Sequence, residues 1–288
     1  MFDESKQLLR RAAHRLKVTV SGRARVLPDF VIVGAQKAGT TSLHHYLQQH
    51  PRIMPPASKE VHFFDTNYAQ GLDWYRGYFP RESEKRVLSA RLDAPVLTFE
   101  ASPYYMYHPL AIERMAADLP GVKAIAMLRN PIERTWSHYW HEHRKGQDAL
   151  SLEEAIAREP ERLAGEAERI RAEPGYFSYA HNHFSYLDRS RYAPQVQRLF
   201  DVLGRENVCL VKSEAFFADP AAETEKVFAF LGLPAAGGID YAPQNVGSYG
   251  DRISAETVAR LHALLDPDYQ RLRRIAGTGF DWFEPRPA

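Results

Sequence analysis

A lysine inside a glycine-bounded loop carries the clearest chemistry in this chain: Val31-Ile32-Val33-Gly34-Ala35-Gln36-Lys37-Ala38-Gly39-Thr40-Thr41-Ser42-Leu43. The run reads as a strand, a loop of small residues and three hydroxyls opening a helix. Such a junction aims backbone N–H groups and the positive end of a helix at a bound anion, and glycine lets the backbone approach the anion's oxygens closely. A phosphate or sulfate group is the natural ligand, with Gln36, Lys37, Ala38, Gly39, Thr40, Thr41 and Ser42 around it. The spacing of Gly34 and Gly39 mimics an NTPase phosphate loop, but Thr40 stands where that motif has its lysine. A second anion site is readable in Leu128-Arg129-Asn130-Pro131, followed by Ser137 two turns into a helix. The arginine offers a charge-assisted fork and the serine a hydroxyl. Because the strand before Arg129 runs into Arg129-Asn130 and not into an aspartate placed for Mg²⁺, metal-assisted nucleotide hydrolysis is disfavoured and no metal is expected. Two anion sites on neighbouring loops imply a ligand with a phosphate-like group at both ends.

The elements that must position these residues are short apolar runs separated by helical patterns. Phe30–Val33, Val96–Phe99, Ala124–Leu128 and Val208–Val211 are continuous apolar segments of strand length, as in a parallel sheet covered on both faces. Helical spacing follows Gly39 (Leu43, Tyr46, Leu47), follows Pro131 (Ile132, Trp136, Tyr139, Trp140), and recurs from Tyr192 to Leu203 and from Val258 to Leu265. Strand then helix, repeated, predicts a three-layer α/β fold with a central parallel sheet. Residues 144–186 interrupt the rhythm with a charged helical stretch from Leu152 to Arg171 and then an aromatic and histidine-rich run, which reads as an insertion or lid over the site. The division is therefore a basic arm over 1–27 and one domain over 28–288. The arm holds seven basic side chains against Asp3 and Glu4, and could rest on an anionic membrane or remain a solvated tail. With 37 basic and 36 acidic residues the whole chain has no field suited to nucleic acid. The single cysteine, Cys209, excludes an intrachain disulfide and a multi-cysteine zinc site. Without an apolar run long enough for a span or a leader, the expected location is the cytoplasm, with membrane association through the arm as the variant.

Lys37 within Gly34–Leu43, together with Arg129 and Ser137, resembles the 5′-phosphosulfate and 3′-phosphate motifs of sulfotransferases that use PAPS, 3′-phosphoadenosine 5′-phosphosulfate. Lys59-Glu60-Val61-His62-Phe63-Phe64-Asp65, Gly71-Leu72-Asp73-Trp74-Tyr75 and Gly279-Phe280-Asp281-Trp282 are similar to the heparan sulfate N- and 3-O-sulfotransferase branch, in a bacterial form. The resemblance runs from about Pro28 to Phe283. It implies a P-loop-like domain, PAPS as donor, 3′-phosphoadenosine 5′-phosphate as product, and sulfuryl transfer to a hydroxyl or amine of a carbohydrate, glycolipid or secondary metabolite. It also brings Tyr192 and the late loop Gly247-Ser248-Tyr249 toward the donor. Sulfuryl transfer needs a base for the acceptor proton and a cation for the leaving phosphate. Glu60 is the candidate base and Lys37 the candidate cation. His62 is the second candidate base, or a partner that orients the acceptor, sharing the side of Glu60 if the segment is extended.

This chain departs from the resemblance in two places that bear on chemistry. Ala101, before Ser102-Pro103, stands where relatives often carry a lysine, so a cation near the reaction centre is absent or comes from elsewhere. The late basic loop of many relatives is replaced around Gly247, where backbone amides could meet a phosphate with less charge. Trp74, Tyr104, Tyr105 and His181 are the candidate acceptor contacts, since aromatic faces suit sugar rings and flat molecules alike. The insertion is not visibly basic, which favours a neutral acceptor over a highly sulfated polymer. Two other readings stand beside this one: a P-loop kinase or nucleotide hydrolase, and a nucleotide- or glycan-binding module without catalysis.

Overall fold

A computed structural model describes residues 24–244 and 253–283. The basic arm up to residue 23, and the expected donor contacts Gly247, Ser248 and Tyr249, lie outside the described residues. Five parallel strands form the sheet: β1 (Phe30–Gly34), β2 (Ile53–Met54), β3 (Leu97–Ala101), β4 (Lys123–Leu128) and β5 (Val208–Lys212), in the order β2-β3-β1-β4-β5. All five residues of β1 are buried, as its unbroken Phe-Val-Ile-Val run requires of a strand covered on both faces. Four of the strands coincide with the apolar runs of the sequence. β2 has only two residues and no pattern of its own, and it is held in place by pairing Ile53 with Leu97 and Met54 with Thr98.

Strand β1 lies between β3 and β4, so the chain leaves the centre of the sheet in opposite directions on either side of it. The crevice outside the strand ends at such a switch point is where ligands bind in open α/β sheets. The loop after β1 leads into α1 (Thr40–Leu47), which packs Leu43, Tyr46 and Leu47 into the core. Helices α2 (Leu72–Arg76), α3 (Glu82–Leu92) and α4 (Ala111–Asp118) complete the β2 and β3 connections. The loop after β4 leads into α5 (Pro131–Arg144), whose Asn130 cap accepts from the N–H groups of Ile132 (3.0 Å) and Glu133 (3.3 Å). Proline at the first helical position and an asparagine cap fix this entry.

The insertion folds as α6 (Leu152–Leu163), α7 (Glu166–Ala172) and α8 (Tyr179–His183). The charged stretch expected as one helix is broken at Ala164-Gly165, where Gly165 takes a φ of 73°. A second apolar cluster joins Leu152, Ala155 and Ile156 of α6 to Ile132 and Tyr139 of α5 and to Leu261 and Leu265 of the last helix. Helices α9 (Tyr192–Leu203), α10 (Ser213–Ala218), α11 (Pro220–Leu231) and α12 (Ala255–Ala276) follow. Among the described residues no helix is long and apolar enough to cross a membrane, and no group of three or more His, Cys, Asp or Glu could hold a metal ion.

Candidate active site

A cleft of about 860 Å³ opens at the carboxyl ends of β1, β3 and β4, within the usual size of a small-molecule site. Gln36, Lys37, Gly39, Thr40 and Thr41 form one wall of it. Gly39 is the N-cap of α1 with φ 97°, no side chain caps that helix, and its first turn holds no acidic residue. The first-turn N–H groups and helix dipole are thus presented to an anion in the cleft. A Cβ on Gly39 would stand 2.8 Å from Cζ of Phe217, another cleft residue, so both the backbone conformation and the packing favour glycine here. Two other residues of the motif serve the frame. Ala38 is buried and its carbonyl accepts from Ser213 Oγ (2.6 Å), and the Ser42 hydroxyl accepts from the N–H of Gln244 (2.9 Å).

Arg129 and Ser137 line the same cleft from the next strand over. The Arg129 guanidinium forks onto Glu133 Oε2 (2.7 and 3.2 Å) and reaches the Lys37 carbonyl (3.4 Å), so it bridges the two loops. Tyr192 is behind this wall, buried, with its hydroxyl donating to the Arg129 carbonyl at 3.0 Å. Arg129, Glu133, Ser137, His141 and Lys145 all line the cleft and recur every fourth residue. Glu133, Ser137 and His141 are on α5 itself, with Arg129 just before it and Lys145 at its C-cap, so at ~1.5 Å per residue one face of α5 walls the cleft over roughly 12 Å.

Facing the loop is the segment that carries Glu60 and His62. The two side chains do converge, but not along an extended strand as expected. Glu60 (φ 60°) and His62 (φ 54°) are both left-handed, as is Lys37 (φ 71°), and among the described residues the only other non-glycine with positive φ is Asp93. Such conformations cost free energy and persist where surrounding bonds over-determine them. Here Glu60 N–H donates to the Ala101 carbonyl (3.1 Å), His62 N–H to Ser102 Oγ (3.1 Å) and Phe63 N–H to the Tyr105 hydroxyl (2.7 Å). Ser102 (2.6 Å) and Tyr105 (2.7 Å) donate in turn to Glu100 Oε1, while Tyr75 donates to Glu100 Oε2. Glu100 is fully buried, and burial raises its pKa. This hub braces the segment that carries Glu60 and His62.

His62 Nδ1 is 2.7 Å from Asp65 Oδ2, and its Nε2 is 3.8 Å from Glu60 Oε2. Burial disfavours charge on His62, but the Asp65 and Glu60 carboxylates outweigh it and lift the imidazole to about 10. The His62 imidazolium, against the opposing effect of partial burial and with help from Lys59, holds the Glu60 carboxyl at about 2. At neutral pH the pair is imidazolium and carboxylate, so the group able to accept a proton is Glu60. Lys59 Nζ donates to both Glu60 Oε1 (2.8 Å) and Thr41 Oγ1 (2.9 Å), joining this segment to the anion loop. The Ala101 side chain is buried and uncharged, and its carbonyl accepts from the N–H of Glu60, the residue after Lys59.

Of the four expected acceptor contacts, Tyr104 alone reaches the cleft. Trp74 packs beside Phe63 and Tyr78, and the Tyr105 hydroxyl is engaged in the hub. His181 is buried with Nδ1 2.7 Å from the Tyr104 hydroxyl and its ring stacked on Tyr107, and burial lowers its pKa to about 2. Its chain neighbours Asn182 and His183 face the cleft instead, together with His141 and Glu142. His183 Nδ1 is 2.9 Å from the buried Glu142 carboxylate. Arg189, also buried, donates to Gln36 Oε1 (2.6 Å) and to the carbonyls of His181 (3.0 Å) and Asn182 (2.7 Å), with its guanidinium over the rings of Tyr104 and Tyr107. It ties the anion loop to α8. Nothing in the local sequence distinguishes Arg189 or Glu142 from surface charges.

Comparison with known proteins agrees with this geometry, beginning with the sulfotransferase domain family, whose sequence model matches residues 27–256. The chain belongs to the sulfotransferase family. A solved relative, a sulfotransferase from Alicyclobacillus acidocaldarius, superposes with a TM-score of 0.68 at 31% identity, covering 89% of this chain and 99% of that one. The human bifunctional heparan sulfate N-deacetylase/N-sulfotransferase 2 is 33% identical over 221 residues, which is 72% of this chain and 22% of that protein. Mouse heparan sulfate glucosamine 3-O-sulfotransferase 6 is 29% identical over 286 residues, 95% of this chain and 79% of that protein. The chain thus spans under a quarter of the length of several curated relatives that it matches. The P-loop-like α/β fold expected from the sequence is that of this sulfotransferase family.

Proposed function

We propose that this chain transfers the sulfuryl group of PAPS to a hydroxyl or amine of a carbohydrate-type acceptor. The observation that carries the reading is the convergence, in one cleft, of an uncapped helix N-terminus with Lys37 on one wall and the ionised Glu60 on the other. The donor set fits a sulfonucleotide: the first turn of α1, Lys37, Thr40 and Thr41 suit the 5′ end, and Arg129 with Ser137 suits a 3′-phosphate. When bound, PAPS supplies an activated sulfuryl group on a phosphate leaving group. Lys37 holds the negative charge that develops on that phosphate, and Glu60 takes the proton of the acceptor. His62, fixed by Asp65, keeps Glu60 ionised and aimed into the cleft. No step in this chemistry asks for a metal ion.

The acceptor occupies the half of the cleft bounded by His62, Tyr104, His141, Glu142, Asn182 and His183. Its charged members are one buried carboxylate and imidazoles, with Lys145 at the end of the α5 stripe. That lining suits a neutral sugar, glycolipid headgroup or hydroxylated metabolite better than a polymer dense in sulfate. Residues 28–288 act as one catalytic unit in this reading, with 144–186 supplying the acceptor wall.

The test is to incubate the protein with PAPS and EDTA against a panel of neutral, amino and sulfated sugars, following release of 3′-phosphoadenosine 5′-phosphate and mass gain on the acceptor. Acceptor-dependent release that survives EDTA is the expected result. Turnover confined to Mg·ATP would replace this reading with a kinase or hydrolase.

A further inference from the structure

We propose that Lys59 is a second catalytic cation of this site, its ammonium group contacting the sulfuryl group as that group passes from the leaving phosphate to the acceptor. The inference rests on the sulfotransferase reading and adds to it a residue that the sequence marks only as a neighbour of Glu60.

The argument is one of position. In a direct transfer the sulfur–oxygen bond to the leaving phosphate breaks, taking its electron pair to the phosphate oxygen. A new bond forms from sulfur to the acceptor's oxygen or nitrogen, whose proton goes to Glu60. The sulfuryl group therefore travels between the first turn of α1, where the leaving phosphate is held, and the carboxylate of Glu60. Lys59 Nζ is within hydrogen-bond distance of a side chain at each end of that path, Thr41 Oγ1 at 2.9 Å and Glu60 Oε1 at 2.8 Å. An ammonium has three donors, and these two contacts leave a third for an oxygen of the migrating group. The side chain lines the cleft with 23% of its surface exposed, so it is neither sealed in the core nor waving in solvent.

An ordinary surface ion pair does not account for this arrangement. Such pairs are weak because two flexible side chains must be held together against solvent. Here Glu60 is fixed by a left-handed backbone bonded to the Ala101 carbonyl, and Lys59 has a second anchor on a different element. A cation held at that point before the donor arrives needs no reorganisation when charge builds on the sulfuryl oxygens. Lys37 and Lys59 then divide the work: Lys37 belongs to the leaving phosphate and Lys59 to the group in flight.

That division makes a binding measurement decisive before any acceptor is found. The wild-type protein, Lys59→Met and Lys59→Arg are titrated calorimetrically, without acceptor, with PAPS and with 3′-phosphoadenosine 5′-phosphate, which lacks the sulfuryl group. Thermal melting of each variant checks folding. Lys59→Met is expected to melt like wild type, to bind the desulfated nucleotide within about threefold of wild type, and to lose about tenfold in affinity for PAPS. Lys59→Arg should recover part of that loss. With an acceptor in hand, Lys59→Met should lower kcat by about 10²-fold, the scale of losing one charge-stabilising donor.

Wild-type affinity for both nucleotides in Lys59→Met would overturn the proposal and leave Lys59 as a prop for Glu60. An equal loss for both nucleotides would also overturn it, since the contact would then be to the phosphate. Failure of the wild-type protein to bind either nucleotide would instead reject the sulfotransferase reading itself.

Discussion

The two walls of the cleft are built by different means. The wall proposed for the donor is made from consecutive residues at the ends of β1 and β4, where backbone N–H groups, a glycine cap and an asparagine cap follow from local sequence. The facing wall, proposed above to receive the acceptor, is assembled from distant segments: Glu60 and His62 braced by the Glu100 hub, Tyr104 after β3, His141 and Glu142 on α5, Asn182 and His183 on α8. In the proposed reading the first wall takes the anionic donor, and it is shaped by main-chain geometry. The second is a network of side chains whose protonation and positions depend on one another.

Changes on the two walls should therefore separate binding from turnover. The largest effect is expected for Glu60→Gln, which keeps the shape and removes the base. Turnover should fall by about 10²-fold or more while affinity for 3′-phosphoadenosine 5′-phosphate stays within about twofold. Kinetics and calorimetry on the same preparation check both halves, and equal losses in the two would mean that Glu60 belongs to the donor wall.

Gly39→Ala tests the opposite wall. Its φ of 97° and the 2.8 Å approach of an added Cβ to Phe217 should weaken nucleotide binding by about tenfold. Adding Phe217→Ala relieves the contact but not the backbone, so calorimetry on the double variant should show partial recovery. Full recovery would reduce the glycine to a packing requirement.

The pH profile of turnover sharpens the comparison further. With Glu60 held at about 2 and His62 raised to about 10, activity should be level from pH 5 to 9. His62→Gln removes the cation facing Glu60, raises that carboxyl toward its ordinary value, and should move the acid limb to higher pH. A wild-type limb near 6.5 would instead make His62 the base.

The smallest effect concerns stability beneath the acceptor wall. Glu159 is buried on α6, accepts from the N–H groups of Leu187 (2.8 Å) and Asp188 (2.6 Å), and is raised by burial to about 7. Because its folded pKa lies above the unfolded carboxyl value, the native state holds the extra proton between about 4.5 and 7. Stability then falls as pH rises through that window. Melting curves should show Tm dropping by a few degrees there, and Glu159→Gln should flatten the slope.

The sheet and the donor wall were legible because their signals are local. Four apolar runs became β1, β3, β4 and β5, and the residues from Gly34 to Leu43 describe their own turn. The acceptor wall was legible only in part. Tyr104 reaches the cleft, yet Trp74, Tyr105 and His181, equally aromatic in the sequence, pack away from it because each meets a partner from another element. Glu60 and His62 meet through left-handed backbone that no alternation pattern reveals. Arg189 and Glu142 read as surface charges, and only the tertiary fold buries them against Gln36 and His183. Lys59 was visible beside Glu60, but its second contact, to Thr41, spans 18 residues of sequence.

The central claim is a metal-independent site for a nucleotide with anionic groups at both its 5′ and 3′ positions. Calorimetric titration with 3′-phosphoadenosine 5′-phosphate, set against ADP and ATP with EDTA or with Mg²⁺, tests it most directly. Tight binding in EDTA that is lost when the 3′-phosphate is missing is the expected result. Preference for Mg·ATP, or indifference to the 3′-phosphate, would contradict the assignment of Arg129 and Ser137 and, with it, the sulfonucleotide site.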